Sequence, residues 1–253
     1  GVLSLAGPVG MLLGGAASGP IVARWGFAAM FTAFAAFSLL WPAAAFNLKD
    51  AQVKQAGEEA LTTQPPAALG GMFWLFFLSG LAAAIANTVC VLGRSLVMDA
   101  LSFSAAAISS TGAVGGAVAL PLGLLAGLLS DKFGRRGLLA LGYLSITLGL
   151  GLLSAATALW HFGAAIALVS AQNAVSGAVG SALVADLVSK RSFGKAMAVF
   201  SATTWVGGVV GFAATGVVIE NMGFAPTFLL AGLLPLASIG LLAAIRVSKP
   251  AAQ

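Results

Sequence analysis

The sequence predicts an all-α, polytopic membrane protein with eight spanning helices, and three observations predict it. The 253-residue chain is 60% hydrophobic and only 8% charged, where a soluble domain carries about 25% charged residues. Its mean hydropathy is +1.04, so lipid must be most of its solvent. The apolar residues fall in runs long enough for helices that cross a bilayer, about 20 residues each, without the alternation of a lipid-facing barrel strand. The Lys and Arg residues divide unequally between alternate loops, as they do where basic loops stay in the cytoplasm.

In chain order the expected helices are 2–23, 27–47, 71–93, 103–129, 138–158, 161–187, 195–218 and 224–246. Between the second and third lies the one long polar connection, with Lys49, Asp50, Lys54, Glu58, Glu59 and the Pro65-Pro66 pair. That is a linker composition. One set of alternate loops holds ten basic residues (Lys49, Lys54, Lys132, Arg135, Arg136, Lys190, Arg191, Lys195, Arg246 and Lys249) and the other holds two, Arg24 and Arg94. Ten against two puts the linker and the C-terminus inside. Trp25 and Trp160 then fall at outer boundaries and Trp41 and Trp74 near inner ones, as interfacial Trp should, whereas Trp205 falls mid-membrane. Topology thus accounts for the net charge of +5, and nucleic acid is not an expected partner. A single Cys (Cys90) excludes an internal disulfide and a single His (His161) excludes a multi-His metal site. No metal or cofactor is expected.

The chain repeats itself. An offset of 197 residues superposes Gly10 on Gly207, Gly14 on Gly211, Ala16-Ala17 on Ala213-Ala214, Ser18 on Thr215 and Gly19 on Gly216. It also superposes Gly26-Phe27-Ala28 on Gly223-Phe224-Ala225 and Phe31 on Phe228. Both copies read as a helix, a Gly turn and a second helix, with small residues four apart that let backbones approach. Gly127 stands seven residues before Gly134, as Gly19 stands before Gly26 and Gly216 before Gly223, which makes a third hinge. The chain therefore repeats every three helices, the pattern of nested three-helix repeats in two six-helix halves. By the same offset the partner of the helix starting near Gly71 begins roughly 125 residues before Gly1, which leaves room for four helices upstream and twelve in the parent chain.

The third hinge reads Gly127-Leu128-Leu129-Ser130-Asp131-Lys132-Phe133-Gly134-Arg135-Arg136. It resembles the loop motif of the major facilitator superfamily, G-x-x-x-D-(R/K)-x-G-R-(R/K), at every fixed position. The resemblance implies a C-terminal portion, helices 5–12 of 12, with helices 1–4 as missing partners. Residues 1–47 would be the last two helices of the N-terminal six-helix bundle, 48–70 the cytoplasmic central linker, 71–247 the C-terminal six-helix bundle and 248–253 a cytoplasmic tail. It implies a secondary active transporter of a small organic solute in the cytoplasmic membrane, working by alternating access. Gly127, Asp131, Lys132, Gly134, Arg135 and Arg136 would form a latch made in one transport state and broken in the other. Gly134 suits a tight turn, and Asp131 can face a helix N-terminus or pair with Arg135.

In this fold solute meets protein near the midplane, where polar groups are costly unless used. The candidates are Asn87, Gln172, Asn173, Thr204 and Trp205, against the plainer reading of interhelical hydrogen bonding and packing. Arg94 and Asp99, five apart, are the candidate coupling or gate pair. The substrate itself is not legible. An antiporter motif, G-x-x-x-G-P-x-x-G-G, is matched only by Gly15, Gly19 and Pro20, so efflux is mildly favoured over uptake; the sugar-porter signature P-E-S-P-R is absent. A membrane enzyme is disfavoured: there is no H-E-x-x-H, no G-x-S-x-G and no central acid pair. The competing reading is a transport-inactive eight-helix membrane protein or truncated fragment with a structural or regulatory role. In either case the Gly-rich first two helices are expected to lack partners and to move against the rest.

Overall fold

The computed structural model describes residues 6–40, 42 and 68–245. Most of the expected linker, the expected tail and Trp41 lie outside the described residues, and of Asp131 only the backbone is described. Seven helices long and apolar enough to cross a membrane are present among them: α1 (Ala6–Ser38), α2 (Gly71–Ala100), α3 (Ala105–Phe133), α4 (Arg135–Ser154), α5 (Leu159–Leu187), α6 (Phe193–Met222) and α7 (Phe224–Ala244). A 3₁₀ turn, Lys190–Ser192, leads into α6.

Seven helices stand where eight were expected, because the first two segments join as α1 across a kink at Gly26. Only Gly26 leaves helical geometry inside it, at φ 77° and ψ 176°. That single residue is the expected turn. Gly134 (φ 75°, ψ 148°) and Gly223 (φ 80°, ψ 178°) adopt nearly the same conformation between α3 and α4 and between α6 and α7. This region of backbone space is essentially closed to residues with a Cβ, so the three glycines that mark the repeat in sequence make one hinge three times.

The packing repeats as well. α2 lies along α6 and α7, and α5 lies along α3 and α4, while α4 packs on α7. Exchanging α2 with α5, α3 with α6 and α4 with α7 maps this pattern onto itself. The lengths obey the same exchange: 30 and 29 residues, 29 and 30, then 20 and 21. Two three-helix units therefore form one six-helix bundle. Its apolar interior has two clusters, one around Phe73, Phe76, Tyr143, Leu183 and Leu242, the other around Met98, Ile146, Leu150, Phe162 and Phe228. Lipid tails are as apolar as these side chains, so close packing and interhelical hydrogen bonds must supply the cohesion. Ser79 and Ser238 supply one such clasp: each hydroxyl donates to the other's carbonyl, at 3.2 and 2.8 Å, joining α2 to α7.

One helix boundary and one packing expectation also differ. α2 continues to Ala100 rather than stopping at 93. A charged residue at 94 ends a hydropathy run, but Arg94 is accommodated inside the bundle, 8% exposed. And α1 does find a partner. Its Gly15 and Gly19 lie against α3, where a Cβ on Gly15 would strike the backbone of Gly112 and Ala113, and one on Gly19 would strike Ala106 and Ser109. In return Gly116 of α3 lies against Leu12. Rising numbers on α1 meet falling numbers on α3, so the two run antiparallel with backbones in contact.

Candidate functional site

Phe200 of α6 organises the centre of the bundle. Its ring stacks on Phe76 of α2 at 4.8 Å with planes 14° apart. It fits because Gly80 of α2 and Gly180 of α5 have no side chains: a Cβ at either would stand 3.3 or 3.1 Å from the ring. Beside this aromatic floor opens a cavity of about 430 Å³. Asn87 reaches it from α2, Gln172 and Asn173 from α5, and Thr204 and Trp205 from α6. All five sequence-predicted cavity residues are thus brought to one place, although they come from three helices and span more than a hundred positions.

Their roles in that wall differ. Asn173 donates from Nδ2 to Asn87 Oδ1 at 3.1 Å, which bridges α5 and α2. Gln172, 5% exposed, donates from Nε2 to Ser176 Oγ at 2.5 Å. Its Oε1 is buried without a hydrogen-bond partner, and an unmet acceptor of that kind costs about 1–3 kcal/mol. A donor on a bound solute would satisfy it. Trp205 is 78% exposed and offers a wide aromatic face. Among the described residues no carboxylate, Lys, Arg or His lines the cavity. It suits an organic solute with hydrogen-bonding groups and an apolar body. Sequence reading missed Phe200, Tyr143 and Ser176, which also line it. Gly80 and Gly180 were the available signal, since a mid-helix glycine often faces a bulky neighbour.

The loop motif lies at one end of the bundle. Arg135, the first residue of α4, donates from Nη1 to the Ala182 carbonyl at 2.7 Å and pairs with Asp186 Oδ2 at 2.5 Å. Both charged side chains are about a third exposed. Arg136 donates to the Ile245 carbonyl at the end of α7. The start of α4 is therefore tied to the ends of α5 and α7. Lys132 lies over the Phe133 ring at 5.8 Å, and a Cβ on Gly127 would meet nothing within 4 Å. Asp186 as partner of Arg135 was not foreseen, because the two are far apart in sequence and meet only through the α4–α5 packing.

Arg94 and Asp99 are not brought together. Arg94 donates from Nη1 to Thr111 Oγ1 at 2.5 Å and from Nη2 to Ser95 Oγ at 3.1 Å, while Asp99 is exposed. Five residues along a helix turn a side chain about 140° away. Among the described residues there is also no cluster of three or more His, Cys, Asp or Glu that could hold a metal ion.

The sequence from 72 to 253 matches the family model of the Major Facilitator Superfamily. The chain belongs to that superfamily. No curated protein matches it in a direct comparison. Superfamily membership makes this a transporter and an integral, multi-pass membrane protein, and the exchange-symmetric bundle is the superfamily's three-helix repeat.

Proposed function

We propose that the chain is the C-terminal part of a secondary active transporter for a small organic solute, and that the cavity beside Phe200 is its half of the solute site. The convergence of Asn87, Gln172, Asn173, Thr204 and Trp205 from three helices on one cavity carries this reading; the buried Gln172 Oε1, which has no partner in the bundle, adds to it. On the same reading the basic hinge acts as the latch of alternating access. The Arg135–Asp186 pair and the Arg136 contact hold the ends of α4, α5 and α7 together in one state and release them in the other. The expected orientation has this end in the cytoplasm, and the partial match of Gly15, Gly19 and Pro20 to an antiporter motif favours efflux. Among the described residues the cavity is lined by no carboxylate or His, so a proton-coupling group is expected on helices upstream of this chain.

Flux across proteoliposomes carrying the full-length gene product, with and without a proton gradient, tests this. Gln172→Ala is expected to raise the concentration for half-maximal flux about tenfold, the loss of one buried hydrogen bond of roughly 1.4 kcal/mol, without lowering the amount of folded protein. Unchanged flux kinetics in Gln172→Ala and Trp205→Ala together would remove the cavity from the pathway.

A further inference from the structure

Arg94 is a buried cation with an incomplete environment. Thr111 gives its own proton to the Ile108 carbonyl, at 2.7 Å, and Ser95 gives its proton to the Val91 carbonyl, at 3.3 Å. Both hydroxyls can therefore only accept from the guanidinium. Two neutral hydroxyls are thus the hydrogen-bond acceptors that the charge has among the described residues. Nε is buried without any partner, and among the described residues no carboxylate lies within ion-pair distance. Asp99 and Glu220, the acidic residues of this end of the bundle, are both exposed. A buried charge without a counter-charge is costly, and a guanidinium is the side chain best matched to a carboxylate or phosphate.

The space for such a group is present. Arg94 lines a cavity of about 580 Å³ between α1 and α3, together with Ser18, Phe27, Met30 and Ser109. Apart from Arg94 none of the described residues lining that cavity is charged. Seven residues separate Arg94 from Asn87, so the two lie on nearly the same face of α2, about 10 Å apart along its axis.

We propose that Arg94 is the binding group of an oxyanion site in this second cavity, which takes the carboxylate or phosphate of a small organic solute or of a lipid headgroup. Assigning the oxyanion to the transported solute rests on the transporter reading above; the binding itself does not. If both hold, Arg94 is a station for an anionic solute one step along α2 from the Asn87 cavity.

Thermal unfolding of the purified protein at low ionic strength tests the site without any need for transport. Sodium benzoate or sodium phosphate, each against sodium chloride of equal ionic strength, is expected to raise the unfolding temperature by about 3–6 °C near ten times its dissociation constant. The rise should shrink in Arg94→Lys, which keeps the charge but loses the guanidinium, and vanish in Arg94→Gln. Without bound anion, Arg94→Gln should unfold no lower than wild type. A rise seen only in nanodiscs of phosphatidylglycerol, not of phosphatidylcholine, and lost in Arg94→Gln would assign the oxyanion to lipid. An equal rise in Arg94→Gln, or no rise in wild type with either salt or lipid, would overturn the proposal. Should Arg94→Gln fail to fold, an undiminished rise in Arg94→Lys would overturn the guanidinium's part in it. Flux that fails for every solute while the temperature shift persists would count against the transporter reading alone.

Discussion

The two copies of the repeat offset by 197 residues, α1 and the α6–α7 pair, share a glycine pattern and pack on opposite faces. In α6, Gly207 and Gly211 lie against Ala84 and Thr88 of α2, and Phe228 of α7 is fully buried over Gly93. In α1 the corresponding Gly10 and Gly14 face nothing, and Phe31 is 65% exposed. The opposite faces reverse the comparison. Gly15 and Gly19 of α1 press on α3, whereas their counterparts on α6, Phe212 and Gly216, are bare. The hinges, by contrast, are alike: φ 77° and ψ 176° at Gly26, φ 80° and ψ 178° at Gly223. Backbone geometry follows from the local sequence, while burial follows from which helix is alongside.

The sharpest way to break that comparison is to place one side chain at equivalent positions. Leu at Gly211 would drive its Cβ into Thr88 and to 3.1 Å from the Ile85 carbonyl, and a helix backbone cannot step aside cheaply. Overpacking of this kind costs about 1–3 kcal/mol, and more where backbone is the obstacle. Gly211→Leu is expected to lose at least about 3 kcal/mol in an unfolding titration of the detergent-solubilised protein. Gly14→Leu, with open space within 4 Å, should stay within about 0.5 kcal/mol of the parent. Equal losses at the two sites would mean that packing on α2 is not what distinguishes the copies.

The hinges should respond the other way, alike in both copies. Ala at Gly26 or Gly223 must hold a Cβ in backbone space that disfavours it, at about 1–3 kcal/mol each. Nothing lies within 4 Å of a Cβ at either position, so no packing difference should separate them. The expected result is equal destabilisation within about 0.5 kcal/mol, read in the same titration.

That contrast also explains what sequence could and could not show. The helices, the Gly turns and the three-helix repeat were legible because hydropathy and glycine act on the chain locally. The five cavity residues were legible for a related reason: an amide, a hydroxyl or an indole in mid-membrane is conspicuous wherever it sits. What escaped depends on neighbours. The run-on of α2 past Arg94 requires Thr111 of α3 as acceptor, and the place of Phe200 requires gaps at Gly80 and Gly180 on two other helices. The separation of Arg94 from Asp99 follows from helical pitch once α2 is known to continue. Asp186 could not be matched to Arg135 before α4 was known to pack on α5.

The smallest expected effect on stability belongs to the most recognisable residues. Three hinges share one backbone conformation, yet only Gly134 is flanked by Lys132, Arg135 and Arg136; Gly26 has Arg24 alone on its approach, and Gly223 has no basic residue near it in sequence. Since two hinges form without the basic cluster, the cluster is not what bends the chain. Arg135 and Asp186 are each more than a third exposed or close to it, and pairs so placed contribute about 0–1 kcal/mol. Arg135→Gln should therefore unfold within about 1 kcal/mol of wild type. A double-mutant cycle with Asp186→Asn should give a coupling energy of the same small size. If the pair serves the latch, the same substitution should change flux through the full-length protein several-fold while stability hardly moves. A loss of several kcal/mol in Arg135→Gln, with flux per folded molecule unchanged, would make the pair a structural tie.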